Sequence, residues 1–360
     1  MKSMKTFRII LILAILSQLG TVAQDSRQYQ IRTIAFYNVE NLFDTTNDSL
    51  TFDDDRTPTG KDQWTEERYW HKVDHIAKVI SEIGSSITAT SPDIVGLCEV
   101  ENRQVLEDLI HHPKLEHKDY GIVHFDSPDE RGIDVALLYK KAAFLPTTSA
   151  SHRLLLINNN DKRDYTRDQL IVGGLLDDEE IHIIVNHWPS RSGGEARSQP
   201  NRIAAAKLNK HIIDSVQRIN DIAKIISMGD LNDDPVDDSL KKILKTKGKQ
   251  KNLEAGDLFN PMEKLFRKGI GSLAYRDKWN LFDQIFFTSH LINTEKNSYS
   301  YWKAGVFTKP YLMTTKGQYR GYPYRTYSGG NYTGGYSDHF PVYLYLIKEK
   351  LPTDHFTNGE

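Results

Sequence analysis

The chain has 360 residues, 39% hydrophobic and 26% charged, which excludes a disordered or fibrous protein and supplies a sizeable core. A formal net charge of −2 excludes a global attraction for nucleic acid, so any polyanion must be held by a local patch. The one cysteine, Cys98, cannot form an intrachain disulfide and is expected as a small buried hydrophobe inside its apolar run.

Residues 1–23 read as a cleavable secretory signal peptide: Lys2, Lys5 and Arg8 precede the apolar run from Ile9 to Ile15, and small residues lead to Ala23 before Gln24. Seven apolar residues fall short of the roughly 20 that span a bilayer, so no stable membrane anchor is expected. No cysteine stands at the cleavage site for acylation. An exported chain without disulfides fits a bacterial secreted or periplasmic protein. Without the leader, 43 basic residues face 48 acidic ones.

Short apolar runs rich in β-branched and aromatic residues predict strands at Ile31–Phe36, Ile94–Leu97, Val135–Tyr139, Ile181–Val185, Ile225–Met228, Leu281–Phe287 and Val342–Ile347. Helical spacing appears between some of them. Trp64–Ile83 places Trp70, Val73, Ala77 and Ile80 on one face, and Arg197–Val216 repeats with Ile203, Ala206, Ile212 and Ile213. From Ser151 to Val185 strands follow one another through turns alone. These mixed connections argue for an α/β layered fold with mixed sheets. No repeat and no linker divides the chain, so one domain is expected over residues 24–350, with a polar tail at 351–360.

Five polar clusters stand at the ends of these runs: Asn38 in IAFYNVENLFD, Glu99 in DIVGLCEVEN, His187 in IHIIVNHWPS, Asp230 and Asn232 in IISMGDLNDDP, and Asp283 in LFDQIFF ahead of Ser337-Asp338-His339. Each alone has an ordinary explanation, such as an exposed glutamate at a strand end or a turn built on Asp-x-Asn. Strand alternation puts Asp230 and Asn232 on one side, with Gly229 allowing close approach. Together, oxygen ligands, two histidines and orienting carboxylates are what metal-assisted hydrolysis of a phosphate ester requires.

In order and context these clusters resemble the endonuclease/exonuclease/phosphatase family, and NVENLF, GLCEVEN and GDLNDDP are most similar to its secreted bacterial nuclease-type members. The resemblance implies a DNase I-like four-layer α/β/β/α sandwich with two mixed β-sheets and a site at one edge. It makes Glu99 the principal metal ligand, with Asn38 and Asp338 beside it. It assigns Asp230 to the attacking water, Asn232 to the phosphate, and His339, oriented by Asp283, to act as base or as charge-assisted phosphate donor. His187 is similar to the family's second histidine, which protonates the leaving oxygen or stabilises the phosphorane, yet the carboxylate that should orient it has no match. Arg131 resembles a phosphate-contacting arginine, and Asn38 is a second candidate for substrate contact. The expected cofactor is Mg²⁺ or Mn²⁺.

Two departures narrow the substrate. Glu101 stands where abasic-site endonucleases carry a lysine, and Lys278-Trp279-Asn280-Leu281-Phe282 replaces the block found in inositol 5-phosphatases. The expectation is a secreted, monomeric metal-dependent phosphodiesterase acting on DNA or RNA. The alternatives are a phosphomonoesterase or sphingomyelinase-like phospholipase and, in another class, a non-catalytic glycan- or polymer-binding module. Two segments stay open. Asp44–Asp55 is acidic enough for a structural Ca²⁺ but lacks EF-hand spacing. Tyr299–Tyr336 holds nine of the 18 tyrosines, interleaved with Lys303, Lys309, Lys316, Arg320 and Arg325, and suits either packing on the sandwich edge or a base, sugar or lipid headgroup.

Overall fold

Apolar runs too continuous for a one-sided sheet become strands buried on both faces. In the computed structural model, which describes residues 28–158, 160–292, 295 and 297–350, these and further strands form two sheets of six. The leader and the tail at 351–360 lie outside the described residues. In chain order the strands are β1 (Gln28–Leu42), β2 (Ile94–Val100), β3 (Tyr120–His124), β4 (Asp134–Lys140), β5 (Phe144–His152), β6 (Gln169–Leu176), β7 (Glu179–His187), β8 (Ile225–Asp230), β9 (Leu258–Phe259), β10 (Asp283–Thr288), β11 (Ser300–Val306) and β12 (Val342–Lys350).

The first sheet runs β11-β12-β1-β2-β4-β3 and the second β9-β10-β8-β7-β6-β5. Each contains one parallel pair, β1 with β2 and β7 with β8, among antiparallel neighbours, so both sheets are mixed. Ile34, Phe36, Ile183, Val185, Ile226, Met228, Ile285 and Leu344 fill the space between them. Alternate residues of the same strands, such as Ala35, Tyr37 and Ile184, face outward onto helices.

Helix α1 (Glu66–Glu82) is capped by the Thr65 hydroxyl and α2 (Arg103–Ile110) by Asn102, whose side chains accept from the N–H of Arg68 and Val105. Both cover the outer face of the first sheet, and α3 (Glu195–Ile219) covers the second through Ala205, Ala206, Ile212 and Ile213. The result is the expected α/β/β/α order. On α1, however, Trp70 is 48% exposed and Tyr69 and Ile76 are buried in its stead. Val73, Ala77 and Ile80 are buried on the expected face, and Tyr69 joins them with its hydroxyl 2.5 Å from Asp108 of α2. On α3, Ile203 is only half-buried. No helix among the described residues is long and apolar enough to cross a membrane.

Candidate active site

The site grows out of the core by simple continuation. On the inner face of the sandwich, Ile34 and Phe36 lead to Asn38 in β1, Ile183 and Val185 to His187 in β7, and Ile226 and Met228 to Asp230 in β8. Phe287 and Ile285 lead back to Asp283 in β10. Period-two alternation therefore points all four polar side chains into the same end of the inter-sheet space. Register then makes a row of three, because Asp230 pairs laterally with His187 on one side and with Asp283 on the other.

Glu99 joins from the first sheet by breaking register. The β2 ladder shifts between Cys98 and Val100, with Glu99 at φ 61°, and the β1 ladder shifts between Asn38 and Leu42, with Glu40 at φ 54° and Asn41 at φ 57°. Left-handed backbone at non-glycine residues is costly and is retained here where bulges re-aim functional side chains. Glu99 is fastened by the Asn41 N–H at 3.0 Å and by the Asn38 amide at 3.3 Å. The same Asn38 amide donates to Asp230 Oδ2 at 3.1 Å, bridging the two sheets. Its oxygen accepts from the Glu40 N–H at 2.9 Å, so Asn38 turns its NH₂ group, not its oxygen, toward the carboxylates.

His339 reaches the row from the loop before β12. Its N–H donates to Ser337 Oγ, whose hydroxyl in turn donates to the Asn38 carbonyl at 2.7 Å. His339 Nδ1 lies 2.6 Å from Asp283 Oδ2, and Nε2 points toward Asp230 Oδ2 at 3.9 Å. Burial opposes charge on His339, yet Asp283, Asp230 and Asp338 hold its pKa well above that of a free imidazole. Asp230 is pushed up to about 7, chiefly by burial, with His339 pulling down and Asp283 adding to the rise.

His187 behaves in the opposite way. Burial, together with Arg167, Arg131 and His339, drives its pKa well below the usual value, and it is a neutral imidazole. Its Nε2 lies 3.8 Å from both Glu99 Oε1 and Asp230 Oδ2, while Nδ1 has no hydrogen-bond partner among the described residues. The missing orienting carboxylate at Nδ1 is thus a feature of the fold. Asn232 arrives by a different route from that expected: β8 ends at Asp230, and a left-handed turn at φ 51°, not strand alternation, brings Asn232 round to accept its position. Its N–H donates to Asp230 Oδ1 and its amide to the Trp188 carbonyl.

Arg131 is half-exposed and leans on Asp129 at 3.7 Å, close enough to depress His187 but with no hydrogen bond into the row. Asp338 accepts from Arg325 at 2.7 Å. Three further residues, Glu40, Lys72 and Arg167, border the site. Glu40 accepts from the Thr326 N–H at 2.6 Å and lies 3.8 Å from the buried Lys72 ammonium. Burial and Asp338 raise Glu40 to about 7, and burial lowers Lys72 to about 8. Arg167, buried, bridges Asp129 and the Trp188 carbonyl. Glu40, two residues beyond Asn38 in NVENLF, was the most visible of the three.

These donors suit a hard divalent cation. Glu99, Asp338, Glu40 and Asp230 bring carboxylate oxygens to one end of the sandwich, and Asp230, Asp283 and His339 place ligand atoms within 4.8 Å of one another. Asp283 Oδ1 is buried without a hydrogen-bond partner. Crowded, buried oxygen charge of this kind is what such a cation relieves. In the Asp44–Asp55 segment the carboxylates serve local backbone instead: Asp44 accepts from Thr46, Asp48 from Leu50, and Asp53 from Asp48.

The chain belongs to the endonuclease/exonuclease/phosphatase family, which it matches over residues 33–348, and it is a metal-dependent phosphoesterase hydrolase. No curated protein matches its sequence. Among solved structures it is similar to an endonuclease/exonuclease/phosphatase family protein from Bacteroides thetaiotaomicron, at 19% identity over 92% of this chain and 99% of that one, with a TM-score of 0.54. It is similar to a humanized TDP2 from D. rerio, at 14% identity over 88% and 98% of the two chains and a TM-score of 0.53. It also resembles a mannosyl-6-phosphatase from Bacteroides thetaiotaomicron, at 18% identity over 88% and 99% and a TM-score of 0.51.

Proposed function

We propose that this protein is an exported, divalent-metal-dependent phosphodiesterase that cleaves DNA or RNA. The observation that carries the hydrolytic reading is the convergence of Asn38, Glu99, His187, Asp230 and Asp283 from strand ends of both sheets, completed by the Asp283–His339 contact at 2.6 Å. Export rests on the Lys2 to Ala23 leader, and Mg²⁺ or Mn²⁺ on the all-oxygen donor set of Glu99, Glu40 and Asp338. When bound there, the cation neutralises charge on the phosphate and its leaving oxygen.

The protein's own groups divide the remaining work by their protonation. Asp230, with a pKa of about 7, is matched to accept the proton of the attacking water near neutrality. His339, held as an imidazolium, donates a charge-assisted hydrogen bond from Nε2 to a phosphate oxygen, which favours the donor role over the base role. Asp283 fixes its ring and its charge, in the orienting logic of a hydrolase triad. Neutral His187 offers an Nε2–H to the developing phosphorane, and Asn232 keeps Asp230 Oδ2 turned toward the reaction by occupying Oδ1.

Hydrolysis of bis-p-nitrophenyl phosphate, p-nitrophenyl phosphate and plasmid DNA, with Mg²⁺, Mn²⁺ or EDTA, tests this reading. Diester and DNA cleavage should vanish in EDTA and fall by about 10²–10⁴ in Asp230→Ala and His339→Ala, with unchanged melting curves. Near-wild-type rates in either variant would sink the assignment. Turnover of monoesters alone would make the protein a phosphatase, the reading that the likeness to the mannosyl-6-phosphatase favours.

A further inference from the structure

The seven tyrosines from Tyr311 to Tyr336 divide into two groups with different surroundings. Tyr311, Tyr327, Tyr332 and Tyr336 are packing residues on or beside α1. Tyr336 stacks on His75 with centroids 4.0 Å apart, Lys78 lies over Tyr311 at 4.1 Å, Arg68 lies over Tyr332 at 4.5 Å, and the Tyr327 hydroxyl donates to the Asp62 carbonyl. Tyr319, Tyr322 and Tyr324 are used differently. With a β-hairpin at Leu273–Tyr275 and Lys278–Asn280 they wall a cleft of about 670 Å³ whose lining ends at Arg325 and Asp338, the latter already placed at the catalytic centre.

That volume lies within the range of small-ligand sites. It gives room for a nucleotide and excludes a duplex, which would have to lie across the rim. The rim rings are presented to solvent: Tyr275 is 64% and Tyr319 48% exposed. Arg276 lies over the Tyr275 ring at 5.2 Å, and neither Arg276 nor Lys316 has a carboxylate partner among the described residues. The two lining carboxylates are already committed, Asp277 to the Tyr322 hydroxyl at 2.6 Å and Asp338 to Arg325 at 2.7 Å. Gln318 is the single side-chain amide in the lining, whereas a sugar is ordinarily held by several carboxylates and amides on its hydroxyls. What this cleft offers instead is exposed aromatic rings and uncommitted cations, in a chain whose overall charge is negative.

The cleft is also fastened to the centre. The Thr326 N–H donates to Glu40, and the buried Lys72 ammonium donates to Thr326 Oγ1 at 2.6 Å and to the Tyr336 carbonyl at 2.7 Å. A group bound among the tyrosines is therefore held at a fixed offset from the carboxylates of the catalytic centre.

Resting on the phosphodiesterase reading, we propose that the cleft between the Tyr275–Lys278 hairpin tip and residues 314–333 is a specificity subsite for one unpaired nucleobase and its phosphate. The base stacks against Tyr275 and Tyr319, and the phosphate is met by Arg276 and Lys316. The enzyme consequently acts on single strands or frayed ends in preference to paired duplex. Stacking on tyrosine is tolerant of sequence because every base has a π-face, and phosphate contacts add a salt-dependent component.

The test uses the purified exported protein with Mg²⁺ or Mn²⁺ and three substrates: a single-stranded oligonucleotide, the same strand annealed to its complement, and bis-p-nitrophenyl phosphate. The double variant Tyr275→Ala/Tyr319→Ala should lower kcat/KM for the single strand by about 10- to 100-fold relative to that for bis-p-nitrophenyl phosphate, the worth of stacking about one base. Arg276→Ala/Lys316→Ala should flatten the salt dependence of single-strand cleavage. Melting curves confirm that the variants are folded. Equal losses on the single strand and the small diester, or unaltered single-strand cleavage, would overturn the subsite. So would a wild-type preference for duplex, or a selective loss of mannose 6-phosphate hydrolysis. A wild type inert on every diester would instead reject the phosphodiesterase reading on which the subsite rests.

Discussion

His339 keeps its charge in a buried site because Asp283 is fixed before any substrate arrives. Asp283 is fully buried, begins β10 and directs its N–H at Ser272 Oγ, 3.3 Å away. Replacing it by asparagine preserves size and backbone pairing but removes the negative charge that sustains the imidazolium and selects its ring orientation. Asp283→Asn is therefore expected to lower kcat for bis-p-nitrophenyl phosphate by about 10²–10⁴, with a smaller change in KM and a melting temperature near that of the wild type. Steady-state kinetics beside a thermal melt checks this. An equal fall in both kcat and stability would make Asp283 a packing residue. Of the site residues, Glu99 and Asp230 were legible because each closes an apolar run, and His339 because it stands just ahead of one. Glu40 was not, since its partners Lys72, Thr326 and Arg325 are contributed by distant parts of the chain.

At the scale of elements, α1 anchors the tyrosine-rich segment. Lys72 is buried, paired with Glu40 and bonded to Thr326 and Tyr336. Lys72→Met leaves Glu40 and the Tyr336 carbonyl without that partner and is expected to cost about 3–5 kcal/mol, read by chemical denaturation together with faster proteolysis within residues 314–333. One turn further along, His75 stacks on Tyr336, and burial, with neighbouring His71, lowers its pKa to about 4. An unfolded histidine titrates near 6.5. Above that pH the imidazole is neutral in both states. As pH falls from about 6.5 to 4 the unfolded chain takes up a proton that the fold resists, so stability is lost across that window. His75→Phe, which keeps the stack, should show a smaller drop in melting temperature between pH 7 and pH 4.5 than the wild type. Parallel curves would remove His75 as the cause.

Across the whole molecule, the two sheets meet at the active end as carboxylate against carboxylate, with Glu99 from one and Asp230 and Asp283 from the other. The Asn38 amide spans them with bonds of 3.3 and 3.1 Å. Glu99, Asp230 and Asp283 would hold a divalent cation between the sheets, where it would relieve their mutual repulsion. Added Mg²⁺ or Mn²⁺ should raise the melting temperature, with about 2.7 kcal/mol of stabilisation at 100 times Kd, and EDTA should reverse it. Glu99→Ala should abolish the rise. An undiminished rise in that variant would place the cation elsewhere.

The sequence by itself determined the layers and the core, because a strand buried on both faces must be apolar throughout and an amphipathic helix must declare its stripe. It also determined the strand-end positions where polarity replaces that pattern. It did not announce β5, whose segment FLPTTSASH is largely exposed and is a strand only because β6 pairs with it, nor the burial of Tyr69 in place of Trp70 on α1. Tertiary structure alone decided which charges share a dielectric environment: the same residue type is an imidazolium at His339, where three carboxylates outweigh burial, and neutral at His187, where burial is reinforced by Arg167 and Arg131. It alone decided which tyrosines pack and which line a cleft. Hydrophobic patterning is a local property, read along the chain; protonation state and cavity shape are set by neighbours that only folding brings together.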